Sequence, residues 1–232
     1  FLLVRRFRDV FRSEELWAYA AIVGASVVAI AVDILHMYES FAQSLRYSFF
    51  QVASIITTTG YATADFNLWP TFSKGILVVL MFIGACAGST GGGMKVARVV
   101  ILAKTSWGDM RKMLHPNAVT TTRFEGKSLT DKHIRSVHLF ITVYLLVFTA
   151  SFLLLCLEGF DIVTTFTALT ACINNIGPGL EMVGPMGNFS AFSWWAKLLL
   201  SFNMLVGRLE IFPMLLLFAP SIWKRRRIIR RM

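Results

Sequence analysis

Acidic residues are scarce in this chain of 232 residues: 13 Asp and Glu stand against 23 Lys and Arg, a formal net charge of +10. In a soluble protein that balance would point to nucleic acid. Cysteine is scarce too. Cys86, Cys156 and Cys172 are odd in number, far apart and set in apolar stretches. That excludes a disulfide framework and gives no metal-ligand spacing; they read as packing residues. His36, His115, His133 and His138 show no HExxH or triad spacing, so they are assigned no chemistry. The chain opens on Phe1 and a basic, partly amphipathic stretch rather than a signal peptide. It lacks an initiator Met, and we expect sequence upstream.

Apolar residues are abundant. They make up 56% of the chain, the mean hydropathy is +0.63, and they come in long blocks. The class is an integral membrane protein. Most Lys and Arg lie in three segments, Arg5 to Arg12, Lys104 to Arg135 and Lys224 to Arg231, which flank the apolar blocks. The positive-inside rule places all three on the cytoplasmic side and removes the nucleic-acid reading. Glu39, Asp65, Glu158, Asp161 and Glu181 give the other face a negative bias. The last basic cluster reads as a topology anchor at anionic lipid, or as a contact for a regulator.

The blocks suggest an order. Residues 1–16 read as a cytoplasmic amphipathic segment. Residues 17–103 hold a span from Trp17 to Met37, a short re-entrant helix from Ser40 to Ile56, and a second span from Phe72. That second span is broken by Gly88-Ser89-Thr90-Gly91-Gly92-Gly93. Residues 104–136, with Pro116 and Gly126, read as a cytoplasmic linker. Residues 137–220 repeat the plan: a span to Leu157, a short apolar segment from Phe160 to Ile173, a Gly/Pro/Asn loop, and a span carrying Arg208 and Glu210. Residues 221–232 are the basic tail.

Thr57-Thr58-Thr59-Gly60-Tyr61 stands between two apolar segments. It reads either as an ordinary turn or as an ion-lining loop, where a glycine relaxes the limit on φ and carbonyls replace an ion's hydration shell. Setting Gly60 against Gly177 brings Phe49 onto Phe166; beyond the loops, Lys74 pairs with Lys197 and Gly84 with Gly207. Two units in the same order, each starting and ending on the same side, make parallel repeats around an axis along the membrane normal. Such a repeat favours the ion loop. The predicted fold class is an all-α membrane protein of two parallel helix–pore-loop–helix repeats, half of a four-repeat pore.

Four stretches carry a family resemblance: TTTGYATADFNLWP at 57–70, FIGACAGSTGGGMKVARV at 82–99, NNIGPG at 174–179 and VGRLEIFP at 206–213. Together they resemble the Trk/Ktr/HKT superfamily of potassium transporters, most closely the membrane subunit of bacterial Trk systems. The resemblance covers nearly the whole chain and matches the last two of that family's four repeats. It implies a K⁺ filter around Thr58, Thr59, Gly60 and Tyr61 in one half and Asn175, Ile176, Gly177 and Pro178 in the other. K⁺ would be held at Thr58, Thr59, Gly60, Asn175, Ile176 and Gly177. It implies an intramembrane gating loop at Gly88, Ser89, Thr90, Gly91, Gly92 and Gly93, with Arg208 facing the pore nearby. It implies the missing two repeats, a homodimer and a cytoplasmic nucleotide-binding regulator as partners, no cofactor beyond the transported K⁺, and the bacterial cytoplasmic membrane. A serine in place of a filter glycine lets members of this family pass Na⁺; both loops here keep glycine.

Some readings stay open at this stage. The run at 88–93 is not a phosphate loop, because Met94 separates Gly93 from Lys95; it is a flexible kink or a pore-side gate. Arg208 pairs with an acidic group such as Glu210, or stands as a positive barrier in the pore; a mid-membrane charge costs ~2.5–3.5 kcal/mol without a partner or water. Asp65, Asp161 and Glu181 enrich cations at the mouth or are plain loop charges. The alternatives to transport are a non-conducting scaffold docking through the basic segments, and an intramembrane enzyme using Asp33 or His36.

Overall fold

The computed structural model describes residues 11, 13–89, 91–115 and 121–209. The expectations for Thr90, Glu210, the basic tail and most of the 1–16 segment lie outside the described residues. Helix α1 spans Glu14–Asp33. The Ser13 hydroxyl accepts from the Leu16 amide at 3.3 Å, and Glu14 and Glu15 fill the first turn, where carboxylates suit the helix dipole. The first span thus begins before Trp17 and ends at Asp33; Leu35–Met37 is a 3₁₀ turn. Helix α2, Phe41–Ile56, starts at Ser40, whose hydroxyl accepts from the Gln43 amide at 3.3 Å. Then come α3, Thr71–Phe82, and α4, Val96–Leu114. The second half supplies α5, Asp131–Leu155, α6, Ile162–Ile173, and α7, Trp194–Arg208. Asp161 caps α6 by accepting from the Thr164 amide at 2.9 Å. The Thr164 hydroxyl and amide hold its carboxyl below the ordinary carboxylate range.

Among the described residues two helical stretches, Glu14–Asp33 and Asp131–Glu158, are long and apolar enough to cross a membrane. Helices α2 and α6 have 16 and 12 residues, about 24 and 18 Å, and fall short of a ~30 Å hydrocarbon core. Two features differ from the sequence reading. The segment expected as a linker is partly helical, because α4 runs on to Leu114 with its charges solvated. The chain is also not purely helical. Ile83–Gly84 (β1) pairs in parallel with Met94–Lys95 (β2), and Arg123–Phe124 (β3) pairs antiparallel with Lys127–Ser128 (β4). The first ladder has a physical cause: breaking a span frees backbone groups that must find partners at membrane depth. The second closes a tight turn at Glu125 and Gly126, both at positive φ (51° and 74°), the pattern of a two-residue hairpin.

The halves exchange core residues. Val27 and Ile30 of α1, Ile34 just after it, Val52, Ile55 and Ile56 of α2 and Leu77 and Leu80 of α3 pack together, and Ile176 and Leu180 of the second half complete that cluster. Phe140, Tyr144 and Phe148 of α5, Leu169 and Ile173 of α6 and Leu200 and Val206 of α7 form another, into which Phe82 of α3 intrudes. The Phe82 ring lies 5.6 Å from Phe148 and 6.0 Å from Phe166. Lipid offers helices no hydrophobic reason to associate, so contacts of this kind, worth ~0.5–1.5 kcal/mol each, carry the packing.

Carboxylates fix the tops of the spans. Asp33 accepts from the Ser73 amide at 3.2 Å and hydroxyl at 2.5 Å; Glu158 accepts from the Ser193 amide at 3.1 Å and hydroxyl at 2.5 Å. Each ties the end of the first long helix of its half to the start of the helix that follows the short apolar one. Asp33 is therefore engaged as a cap, and His36 is exposed; the pair does not form an enclosed catalytic site. Helix α6 is buried along nearly its whole length. Three of its four threonines satisfy themselves: Thr165, Thr167 and Thr170 donate to the carbonyls of Asp161, Val163 and Phe166 at 2.7–2.9 Å, which removes the cost of burying those hydroxyls.

Candidate ion pathway

Both short helices end in the same backbone figure. The Thr58 amide donates to the Ile55 carbonyl and the Asn175 amide to that of Cys172, each at 3.0 Å. The Thr59 amide donates to Ser54 and the Ile176 amide to Ala171, each at 2.9 Å. Thr58 and Asn175 both sit in the left-handed region, at φ 55° and 56°, and Gly60 and Gly177 follow at 79° and 112°. A β-branched residue in that region is a genuine outlier, costing roughly 1–2 kcal/mol; such strain concentrates at functional sites. In a planar trans peptide the carbonyl opposes the amide. Amides turned back into α2 and α6 therefore aim the carbonyls of Thr57, Thr58, Asn174 and Asn175 away from the helix ends.

The loops touch. A Cβ on Gly60 would lie 2.0 Å from the Ile176 carbonyl oxygen and 3.2 Å from Pro178. The Ile176 side chain is buried in the first half's core, whereas Thr59, its counterpart, is exposed. Tyr61 departs from the others: its carbonyl accepts from the Ser54 hydroxyl at 2.5 Å, so it anchors the loop, and its side chain is 73% exposed. Between the halves, the Asn67 side-chain amide donates to the Glu181 carbonyl at 3.0 Å and accepts from the Glu181 backbone amide at 2.9 Å, a reciprocal clasp.

The glycine run lies against these loops. A Cβ on Gly91 would come within 3.2 Å of the Thr58 hydroxyl, one on Gly92 within 2.3 Å of the Asn174 carbonyl oxygen, and one on Gly93 within 3.2 Å of the Asn174 side-chain oxygen. Only glycine permits that approach. The loop's neck is the β1–β2 ladder, and its far side is a turn in which Ser89 donates to the Cys86 carbonyl at 3.1 Å and Gly88, at φ 84°, meets nothing within 4 Å. Below lies a cavity of about 200 Å³ lined by Ser89, Gly91, Gly93, Lys95, Arg98, Tyr144 and Arg208 among others. The structure thus brings Arg208 and the glycine run to one space. The Arg98 guanidinium stands 3.9 Å over the Phe140 ring.

Sequence reasoning missed several residues. Asn174 is fully buried; its side-chain oxygen accepts from the Tyr144 hydroxyl at 3.0 Å and its nitrogen donates to the Thr170 carbonyl at 2.9 Å. The Asn174-Asn175 doublet at the end of an apolar run was its signal. Lys95 and Arg98, directly after the glycine run, share the cavity with Arg208. Glu15 is buried and accepts from the Ala87 amide at 2.5 Å; a second acid at the mouth of an apolar span hinted at it.

Residues 21–225 match the family described as TrkH, cation transport protein. The Trk system potassium uptake protein TrkH of Salmonella typhimurium is 40% identical over 205 residues, which cover 87% of this chain and 42% of that protein. TrkH of Escherichia coli is 39% identical over 189 residues, 82% of this chain and 39% of its own length. The crystal structure of the potassium transporter TrkH from Vibrio parahaemolyticus superposes with a TM-score of 0.84 at 37% identity, covering 92% of this chain and 46% of that one. The chain spans less than half the length of each of these proteins. With a family match over most of its residues, the chain belongs to the TrkH family of cation transport proteins.

Proposed function

We propose that this chain forms two parallel pore repeats of a potassium uptake subunit in the bacterial cytoplasmic membrane, both of its ends facing the cytoplasm. Carbonyls and hydroxyls around Thr58, Thr59, Gly60, Asn175, Ile176 and Gly177 replace the hydration shell of K⁺, with Tyr61 and Pro178 bracing the loops. Two further repeats complete the ring. The subunit works as a homodimer with a cytoplasmic nucleotide-binding regulator, as its resemblance implies. The run at 88–93 closes the pathway beneath the filter, and Arg208 adds a positive barrier there. The observation that carries this reading is the recurrence of one strained backbone figure, Thr58/Gly60 and Asn175/Gly177, in two loops that abut. Carbonyls aimed away from two helix ends toward a shared space are what cation dehydration needs, and the helices' partly negative C-terminal ends add to the field.

The test is Gly60→Ser in the complete subunit, reconstituted in liposomes. A side chain there is strained at φ 79° and meets the Ile176 carbonyl, which costs ~1–3 kcal/mol, or about tenfold or more in selective flux. Rb⁺ uptake should fall and Na⁺ uptake rise relative to it. If Rb⁺ and Na⁺ uptake are both unchanged, the filter assignment fails.

A further inference from the structure

The glycine loop is held on two sides in different ways. Its inner limb, Gly91–Gly93, lies close against the Thr58 hydroxyl and the carbonyl and side-chain oxygens of Asn174. Its outer turn, Cys86–Ser89, is held by a side chain of another element: the buried Glu15 carboxylate of α1 accepts from the Ala87 amide at 2.5 Å. A carboxylate receiving a backbone amide makes a strong, charge-assisted bond. Cys86 is half-buried in the same turn. The start of α1 is in turn fixed to the cytoplasmic segments. Glu14 pairs with Lys104 of α4, Lys104 also donates to the Arg123 carbonyl at 3.1 Å, and the Ser13 hydroxyl donates to Glu125 at 2.8 Å.

We propose that Glu15 is a positioning residue that latches the outer turn of the glycine loop to the first span. This rests on the reading of that loop as a gate. With the latch made, the loop is pinned against both the filter loops and α1. With it released, the inner limb keeps its packing on Thr58 and Asn174 and the turn at Gly88 is free to swing. Because α1 begins in the cluster of Ser13, Glu14, Lys104 and Glu125, the latch lies one helical turn from residues that cytoplasmic segments can displace.

The test uses the complete subunit with Cys86 as its sole cysteine, Cys156 and Cys172 being replaced by Ser and Ala and any cysteine in the other repeats by Ser. The readouts are the rate at which a membrane-impermeant methanethiosulfonate modifies Cys86, and Rb⁺ flux in liposomes. Loss of a hydrogen bond to a charged group is worth ~1.5–3 kcal/mol, so Glu15→Ala should raise the labelling rate by about tenfold or more. Glu15→Asp, one methylene short, should match it, while Glu15→Gln, which keeps the acceptor at the same reach but gives up the charge, should fall between the parent and Glu15→Ala. An unchanged rate in Glu15→Ala and Glu15→Asp overturns the proposal. So does the opposite order, with Asp like the parent and Gln like Ala, which would mark a charge effect. Should Glu15→Ala fail to accumulate, the Asp and Gln variants carry the comparison. Faster labelling without increased flux would leave the latch standing and refute the gate.

Discussion

Asn174 and Asn175 are neighbours with separate work. Asn175 takes the left-handed φ that bends the loop, and its amide group donates to the Met204 carbonyl at 3.0 Å. Asn174 is a buried pin. Its side chain joins α5, through Tyr144, to the last turn of α6, and its backbone carbonyl meets the glycine run. Tyr144→Phe would leave a buried side-chain oxygen short of its partner, at a cost of ~1–3 kcal/mol. The melting temperature of the detergent-solubilised subunit should fall by several degrees, taking about 2–4 °C per kcal/mol as for a chain of this size. Thr142→Ala serves as control: that exposed hydroxyl bonds only the His138 carbonyl of its own helix and its loss should leave the melting temperature in place. The doublet was visible in the sequence, but the division of labour was not, because it is set by Tyr144 and Met204, each about thirty positions away.

Glycine's role in the helices depends on what faces it. On Gly207 a Cβ would lie 1.7 Å from the Ile173 carbonyl oxygen, at the crossing of α7 over the end of α6. Gly84, which the repeat alignment pairs with it, is as crowded, 2.3 Å from the Gly92 oxygen. Gly24, in the middle of α1, meets nothing within 4 Å. Gly207→Ala should therefore cost ~1–3 kcal/mol by overpacking and lower both membrane yield and melting temperature. Gly24→Ala should be neutral or stabilise by up to ~1 kcal/mol through helix propensity; equal effects from both would refute the crossing. The order and kind of elements was legible because apolar blocks and glycine loops alternate so plainly. The extension of α4 to Leu114 was not, since charged residues such as Lys104, Arg111 and Lys112 suit a solvated helix as well as a loop.

Across the molecule, the halves are joined by interlock more than by charge. Phe82 enters the second half's core and Ile176 the first's, and Asn67 clasps the backbone of Glu181. Lys74 also approaches Glu181, at 3.9 Å, but an exposed pair of that kind contributes ~0–1 kcal/mol. Asn67→Ala should lower the melting temperature of the solubilised subunit by several degrees, whereas Glu181→Gln, which keeps both backbone bonds, should leave it within about a degree; the reverse order would show that charge holds the halves. The likeness of the two loop turns was readable from the matching of Gly60 with Gly177, both at positive φ. The interlock was not, because an alignment gives order along the chain and says nothing of which face meets which. Helix α6 adds a consequence for biogenesis. At 12 residues, rich in threonine, it is too short and too polar to settle in a bilayer by itself. The flanking helices α5 and α7 must therefore be inserted first, so α6 enters as a late passenger in the nascent protein, and the loop at 174–179 that follows it is among the last parts of this half to form.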